Sequence, residues 1–594
     1  MIKWQGKCKL ALAFVAAAAM LGTAWAANEV SYENGGTIDL TTIADNAVYK
    51  PETNGEITVN ISGDLGASGN LDSRKFKIYG AGDGADGSAN FTVNWGTSKL
   101  YTTGGFTQII AGGVGSNLKD SSMTFDSAET SEIYEGDGSG QKSLLLAAGP
   151  EGGSVSGNTT LNINGTLGAN DVVYYLKATA GGLLNNDSTS DFIVVEGDST
   201  VNFKADWKTG KGTALLAGPM IRKAGTTYGT VKGATIVNID GGRSVREIWA
   251  AGALLGNVST PSLTVGSAEV RILKGAVDDS VFAGAEVYAN GTATVSGDAS
   301  ITFSGGTMGE NGGRARLFGG HYVEHEGGKG YINGDSHIII TGGSGIKYVF
   351  GGGMAWRGTT SETQSVVRGG SNIDIVGDGG LSALTENSKI FAGGRRKTST
   401  SAIASVEKNG TVTFSNITKA YKGTISGQGT QSNNPADSND YIADYTDSVS
   451  GDSVLVFDNV QADFSGATIV EMDRIELSSG TELKLADLGG ATAIKLTGNW
   501  TNLGTPSALT FTNAVNVQGV TVDYSEATGI VSAAFNEAKT ELVVTCKNAP
   551  IAVTPAALKL QLGKSDTVKA ATPVVGETVS WKSSDTAVAA VDGD

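Results

Sequence analysis

Few residues of this chain have the types and spacing that chemistry requires. The three histidines are His321, His325 and His337. In His321-Tyr322-Val323-Glu324-His325-Glu326 two of them stand four apart, the spacing that holds zinc when it lies on a helix. Gly-Gly pairs flank the segment and make it a strand or loop. There the two rings would stand about 13 Å apart, at roughly 3.3 Å per residue, too far to share an ion. Gly80-Ala81-Gly82-Asp83-Gly84-Ala85-Asp86-Gly87 could offer oxygens to calcium, but that chemistry needs tandem copies, and one imperfect copy reads as an ordinary turn. Arg395-Arg396-Lys397 is the densest basic spot and could fork onto an anionic glycan or carboxylate. A solvated loop tip is the plainer reading. Cys546 ends the apolar run Leu542-Val543-Val544-Thr545 with no base nearby, which marks a buried structural thiol. Asp and Glu are scattered, and neither a Gly-x-Ser-x-Gly with a histidine partner nor a phosphate loop is present. No catalytic, cofactor-binding or metal-ligating residue is therefore assigned, and no cofactor is expected. A cleft assembled across distant segments would not show in sequence.

The elements that would position any site are far more legible. A short phrase, usually two apolar residues, then Ala or Gly, then Gly, occurs nine times. It reads Ile109-Ile110-Ala111-Gly112, Leu146-Ala147-Ala148-Gly149, Ala178-Thr179-Ala180-Gly181, Leu215-Leu216-Ala217-Gly218 and Trp249-Ala250-Ala251-Gly252. It continues as Val281-Phe282-Ala283-Gly284, Leu317-Phe318-Gly319-Gly320, Val349-Phe350-Gly351-Gly352 and Ile390-Phe391-Ala392-Gly393. A recurrence of about 35 residues marks stacked units that cannot bury their apolar faces alone. A second strand signal precedes most copies, as in Thr159-Thr160-Leu161-Asn162-Ile163-Asn164 and Ser199-Thr200-Val201-Asn202-Phe203, where apolar and polar residues alternate. These runs follow Gly-Asp, Gly-Asn or Gly-Ser, which is turn punctuation. With 86 glycines and 9 prolines, the composition suits short strands joined by tight turns. The expected fold class is all-β: a parallel β-solenoid (β-helix) of about nine ~35-residue repeats, with variable loops projecting to one side. Antiparallel hairpins forming sandwiches are the alternative. A partial immunoglobulin-like β-sandwich is expected to follow.

The address is also legible. Lys3, Lys7 and Lys9, the apolar run from Leu10 to Leu21 and the small-residue site Ala24-Trp25-Ala26 make residues 1–26 a signal peptide. No later stretch is apolar enough for a transmembrane helix. The net charge of −17 becomes more negative once the leader's lysines are gone, which disfavours nucleic acid and anionic membranes as partners. Only Cys546 would remain of the 2 cysteines, so no intrachain disulfide is expected. The expected location is secreted or extracellular, at the cell surface. Residues 27–100 lack the phrase and are expected to cap the solenoid, 101–423 carry the repeats, 424–448 read as a loop or linker, and 449–546 as a C-terminal β region.

On these features residues 27–546 resemble the Gly-rich passenger solenoids of bacterial autotransporters and related surface adhesins, although that family's β-barrel translocator is not present. The tail carries Val553-Thr554-Pro555, then Val579-Ser580-Trp581-Lys582-Ser583-Ser584-Asp585, Val588-Ala589 and Val591-Asp592. This resembles a group 2 bacterial immunoglobulin-like domain, here 550–594 and cut short, which implies that the native polypeptide continues. Trp581 would fill the sandwich core and Ser584-Asp585 make the next turn. Both resemblances imply a surface-displayed structural or adhesive stalk with an extracellular protein or glycan as partner, tethered to an outer membrane or cell wall beyond Asp594. Occasional aromatics such as Trp207 and Trp356 would help the loops bind. The rival expectation is a secreted polysaccharide lyase or glycosidase built on a β-helix.

Overall fold

The alternation of apolar and polar residues folds into strands that pair in parallel with their counterparts one repeat away. The computed structural model describes residues 28–547, apart from short segments of which 63–75, 136–142 and 433–442 are the longest, and beyond them only 552–554, 567 and 569–571. The leader and the Trp581 motif lie outside the described residues. The phrase-bearing strands form one parallel ladder within a 15-stranded sheet, running from Asn28–Tyr32 to Thr468–Val470. The alternating strands Thr159–Gly165, Ser199–Phe203 and their counterparts stack in the same way opposite it. Short strands such as Leu183–Leu184, Met220–Ile221 and Ala253–Leu254 follow each phrase and make a further ladder. The fold is all-β and the solenoid is parallel. Gly377–Ala383 is the one helix among the described residues.

The ladder extends beyond the nine copies of the phrase. Ile78 and Tyr79 pair with Ile109 and Ile110, so Gly80-Ala81 is an earlier copy with its small residues exchanged. Ile390 and Phe391 pair with Ile425 and Ser426, so a further coil runs through the expected 424–448 linker, where Thr424–Ser426 and Gly429–Ser432 are strands. Ser and Gly stand there in place of apolar residues, which conceals the strand signal. The fifth copy is also shifted by one residue. Leu216 pairs with Trp249, so the stacked unit is Ile248-Trp249-Ala250-Ala251. Strands Asn28–Tyr32, Gly36–Leu40, Ala47–Pro51 and Glu56–Ile61, in the stretch expected to cap the solenoid, already pair as rungs of the ladders.

The side chains explain the small residues. Ser371 begins an alternating strand, and its buried hydroxyl crosses the interior to donate to the Ala392 carbonyl at 2.6 Å. Ser199 does the same to Ala217 and Ser453 to Gly427, both at 2.6 Å. The two sheets therefore approach closely at the phrase. A Cβ on Gly351 would lie 2.6 Å from the Ser371 side chain, and one on Gly218 would lie 1.9 Å from the Ala251 carbonyl oxygen of the next coil. The Gly-Asp and Gly-Asn turns stack too: Asn158 accepts the Asp198 N–H and Asp198 the Ala234 N–H, both at 2.8 Å. Each turn side chain thus satisfies a backbone donor of the next coil. Ser371→Ala leaves the Ala392 carbonyl without its side-chain donor, and the expected loss is about 1–2 kcal/mol, read from the urea midpoint. An unchanged midpoint would remove this link from the description.

The interior is one apolar cluster from Leu40 to Cys546. It closes where pairing changes sense: Ser507–Phe511 and Ile530–Phe535 both run antiparallel to Glu541–Cys546. An antiparallel end stops the parallel stacking, as a solenoid terminus needs. Ala552–Thr554 pairs antiparallel with Lys569–Ala571. No helix among the described residues is long and apolar enough to cross a membrane.

Candidate functional cleft

Alternation along each phrase strand sends Ile248, Val281, Leu317 and Val349 inward, and Trp249, Phe282, Phe318 and Phe350 outward. The outward residues are nonetheless buried, and Phe318 is 0 % exposed. After the phrase the chain bends so that the short strands lay their own outward residues, Leu183, Met220, Ala253 and Met354, against them. The result is a second apolar cluster, separate from the interior. The two ladders meet at an angle that these side chains fill, and the cleft is this angle. Its floor is a column of rings from Trp249 through Phe282, Phe318 and Phe350 to Phe391, with successive centroids 6.5, 4.6, 4.5 and 5.0 Å apart.

Charged residues share this angle. Two positions before the rings, the floor column reads Lys177, Ala214, Glu247, Ser280, Arg316 and Tyr348 on successive coils. The wall column reads Ala253, Glu286, Tyr322 and Met354. Asp279, 1 % exposed, receives Arg246 at 2.8 Å and Arg316 at 3.2 Å. Arg316 also donates through Nε to the Ser280 hydroxyl at 3.0 Å. The Lys177 ammonium lies 5.1 Å from the Trp249 ring centroid. Tyr322 donates to Glu324. Further toward the N-terminus, buried Glu151 accepts from Tyr79 and Ser188, with Lys77 at 3.5 Å.

Burial, then the charges of Asp279 and Glu286, push the Glu247 carboxyl up to about 7. Burial also raises Glu286, with Lys177 offsetting part of the rise. Such an environment keeps a carboxyl able to donate as well as accept near neutrality. His321 lies beside the wall. Burial lowers it to about 4, and its Nδ1 accepts the Ala285 N–H at 2.9 Å. The two groups have opposite pH signs. The unfolded chain protonates His321 first, so stability is lost as pH falls from about 6.5 to about 4. The folded chain holds the Glu247 proton longer, so stability falls as pH rises from about 4.5 to about 7. Glu247→Gln is expected to flatten the decline on the neutral side and to leave the variant more stable than the parent at pH 8. Urea midpoints at pH 5 and pH 8 check this, and parallel curves would contradict it.

The residues singled out from sequence are placed differently. His321 is buried while His325 sits in a loop, its Nδ1 2.6 Å from the Glu326 carbonyl. Among the described residues no group of three or more His, Cys, Asp or Glu could hold a metal ion. Asp83 pairs with Lys50 at 2.8 Å. Arg395–Lys397 is a strand and not a loop tip: Arg395 is buried against Trp356, and Arg396 lies 3.9 Å from the Tyr445 ring centroid. Trp207 and Trp356 are not loop aromatics. Trp207 is fully buried between Phe125 and Phe203, donating to Ser127 at 2.8 Å, and Trp356 belongs to the cleft's apolar cluster. Cys546 is buried at the end of its strand.

Sequence reading missed the cleft charges. Glu247, Asp279, Glu286 and Arg316 come from three coils and share no motif; only the register of the ladder brings them together. A separate open hollow of about 610 Å³ is lined by Gln461, Asp463, Glu482, Lys484, Ser507 and Thr510. There Asp463 is engaged with Ser465 and Lys484. Comparison with known proteins finds no matching family model, no matching curated protein and no matching solved structure.

Proposed function

We propose that the chain is the rigid stalk of a secreted, surface-displayed bacterial protein with a structural or adhesive role, similar to an autotransporter passenger and extended by an immunoglobulin-like module. The observation that carries this reading is the parallel ladder from Asn28–Tyr32 to Thr468–Val470. Stacked coils share backbone hydrogen bonds and one core along their length, which gives a rod that resists bending and presents its loops at fixed spacing. The signal-like leader and the acidic charge support an extracellular address. Beads coated with the full chain should be retained on immobilised extracellular-matrix proteins or mucin, and antibody to the chain should label intact cells. Labelling only after lysis, with no retention, would refute the proposal.

A second reading is a secreted carbohydrate-active enzyme. It is favoured by Glu247 and Glu286, two carboxyls on neighbouring coils that burial raises, Glu286 adding to the rise at Glu247. Glycosidases set two carboxyls in distinct environments to act as acid and as base or nucleophile. Release of new reducing ends or unsaturated sugars would favour it.

A further inference from the structure

The cleft contains buried polar groups that the protein itself leaves unanswered. Trp249 Nε1, Glu286 Oε2 and Arg316 Nη1 are buried and have no hydrogen-bond partner. Trp249 is 2 % exposed and Arg316 3 %. The three stand on consecutive coils, Trp249 and Arg316 in the floor ladder and Glu286 in the facing wall. Buried donors and acceptors are paired in almost every folded protein, and each exception calls for a physical cause.

We propose that this part of the cleft is a binding site for one unit of a neutral, polyhydroxylated ligand, a saccharide without carboxylate or sulfate. Two of the open groups donate and one accepts, the mixture that sugar hydroxyls satisfy. Charge argues against an ionic ligand. Asp279 is already held by Arg246 and Arg316, and acidic and basic groups interleave around the site, so neither an anion nor a cation meets an unopposed counter-charge. Ala214 and Ala253 belong to the same buried cluster as Trp249, Ala214 across the ladder from Glu247. Lys177 covers the indole face, and Lys177, Glu247 and Tyr322 form a half-buried rim. The ligand reaches the buried atoms by displacing these rotatable side chains. The inference does not depend on the rod's being an adhesin, since it concerns binding in solution.

The test is calorimetric titration of the full chain with neutral oligosaccharides of two to four units, built from glucose, galactose, mannose or N-acetylglucosamine. Oligogalacturonate serves as the anionic comparison. At least one neutral probe should bind saturably, and oligogalacturonate should not. Trp249→Phe keeps the stacked ring and removes only the Nε1 donor, and should weaken that binding about tenfold. Glu286→Gln should weaken it by a similar factor, while Tyr331→Phe, outside the cleft, leaves it unchanged. No binding by any neutral probe, tighter binding of oligogalacturonate, or binding indifferent to both Trp249→Phe and Glu286→Gln would overturn the proposal. Thermal unfolding of each variant in the absence of sugar separates loss of fold from loss of binding.

Discussion

Replacing Phe318 by alanine is expected to lower the stability of the solenoid by about 3–5 kcal/mol, the cost of removing a fully buried aromatic. The ring faces away from the interior, so a simple solenoid would leave it in water, and its loss would cost little. Here it is 0 % exposed and stacks on Phe282 at 4.6 Å and Phe350 at 4.5 Å. Stacked pairs add to the burial contribution, and both would be lost at once. Phe318→Leu keeps most of the volume and should cost less than half as much. Stacked coils need not unfold as one unit. Amide exchange over residues 316–324 is therefore the suitable readout, together with the calorimetric transition. Exchange unchanged in Phe318→Ala would mean that the outer cluster holds nothing together.

Asp279→Asn should cost a similar amount, about 3–5 kcal/mol, for an electrostatic reason. Asp279 is the carboxylate partner of Arg316, and both are almost wholly buried. Arg246 and Arg314 approach the same carboxylate, at 2.8 and 3.9 Å. Removing the negative charge leaves a buried guanidinium facing two other cations without their shared partner. The double variant Asp279→Asn/Arg316→Met removes the stranded charge and fits an unbranched apolar chain along Phe318. It should recover more than half of the loss, because replacing both members of a buried pair is far less costly than breaking it. A double variant less stable than Asp279→Asn would show that Arg316 contributes by packing and not through the pair.

The repeat phrase made the architecture legible because its cause is local. A strand needs alternation, a tight turn needs Gly with Asp or Asn, and close approach of two sheets needs Ala or Gly. Leu161, Val201 and Val237 reveal the core face of their strands by alternation alone. The coil through Thr424–Ser426 was concealed because Ser426 occupies the column where Phe391 stands one coil earlier. The shift at Trp249 was concealed because Ala250 and Ala251 are interchangeable by eye, and only Leu216 across the ladder fixes which is which. The cleft could not be read at all. Its bend reverses the usual meaning of outward, so Trp356 and Arg395, which look like surface residues in sequence, are buried. Its charged groups stand about 35 residues apart and become neighbours only through parallel register.

The most direct test of the central claim, that this rod binds and does not transform its partner, follows retention and product release in one experiment. The full chain is immobilised, exposed to neutral and acidic polysaccharides, and the supernatant is assayed for new reducing ends and unsaturated sugars. The expected result is retention of a neutral polysaccharide, not of the acidic ones, with no released product. Release of product that disappears in both Glu247→Gln and Glu286→Gln would contradict it, and would make the cleft a catalytic one.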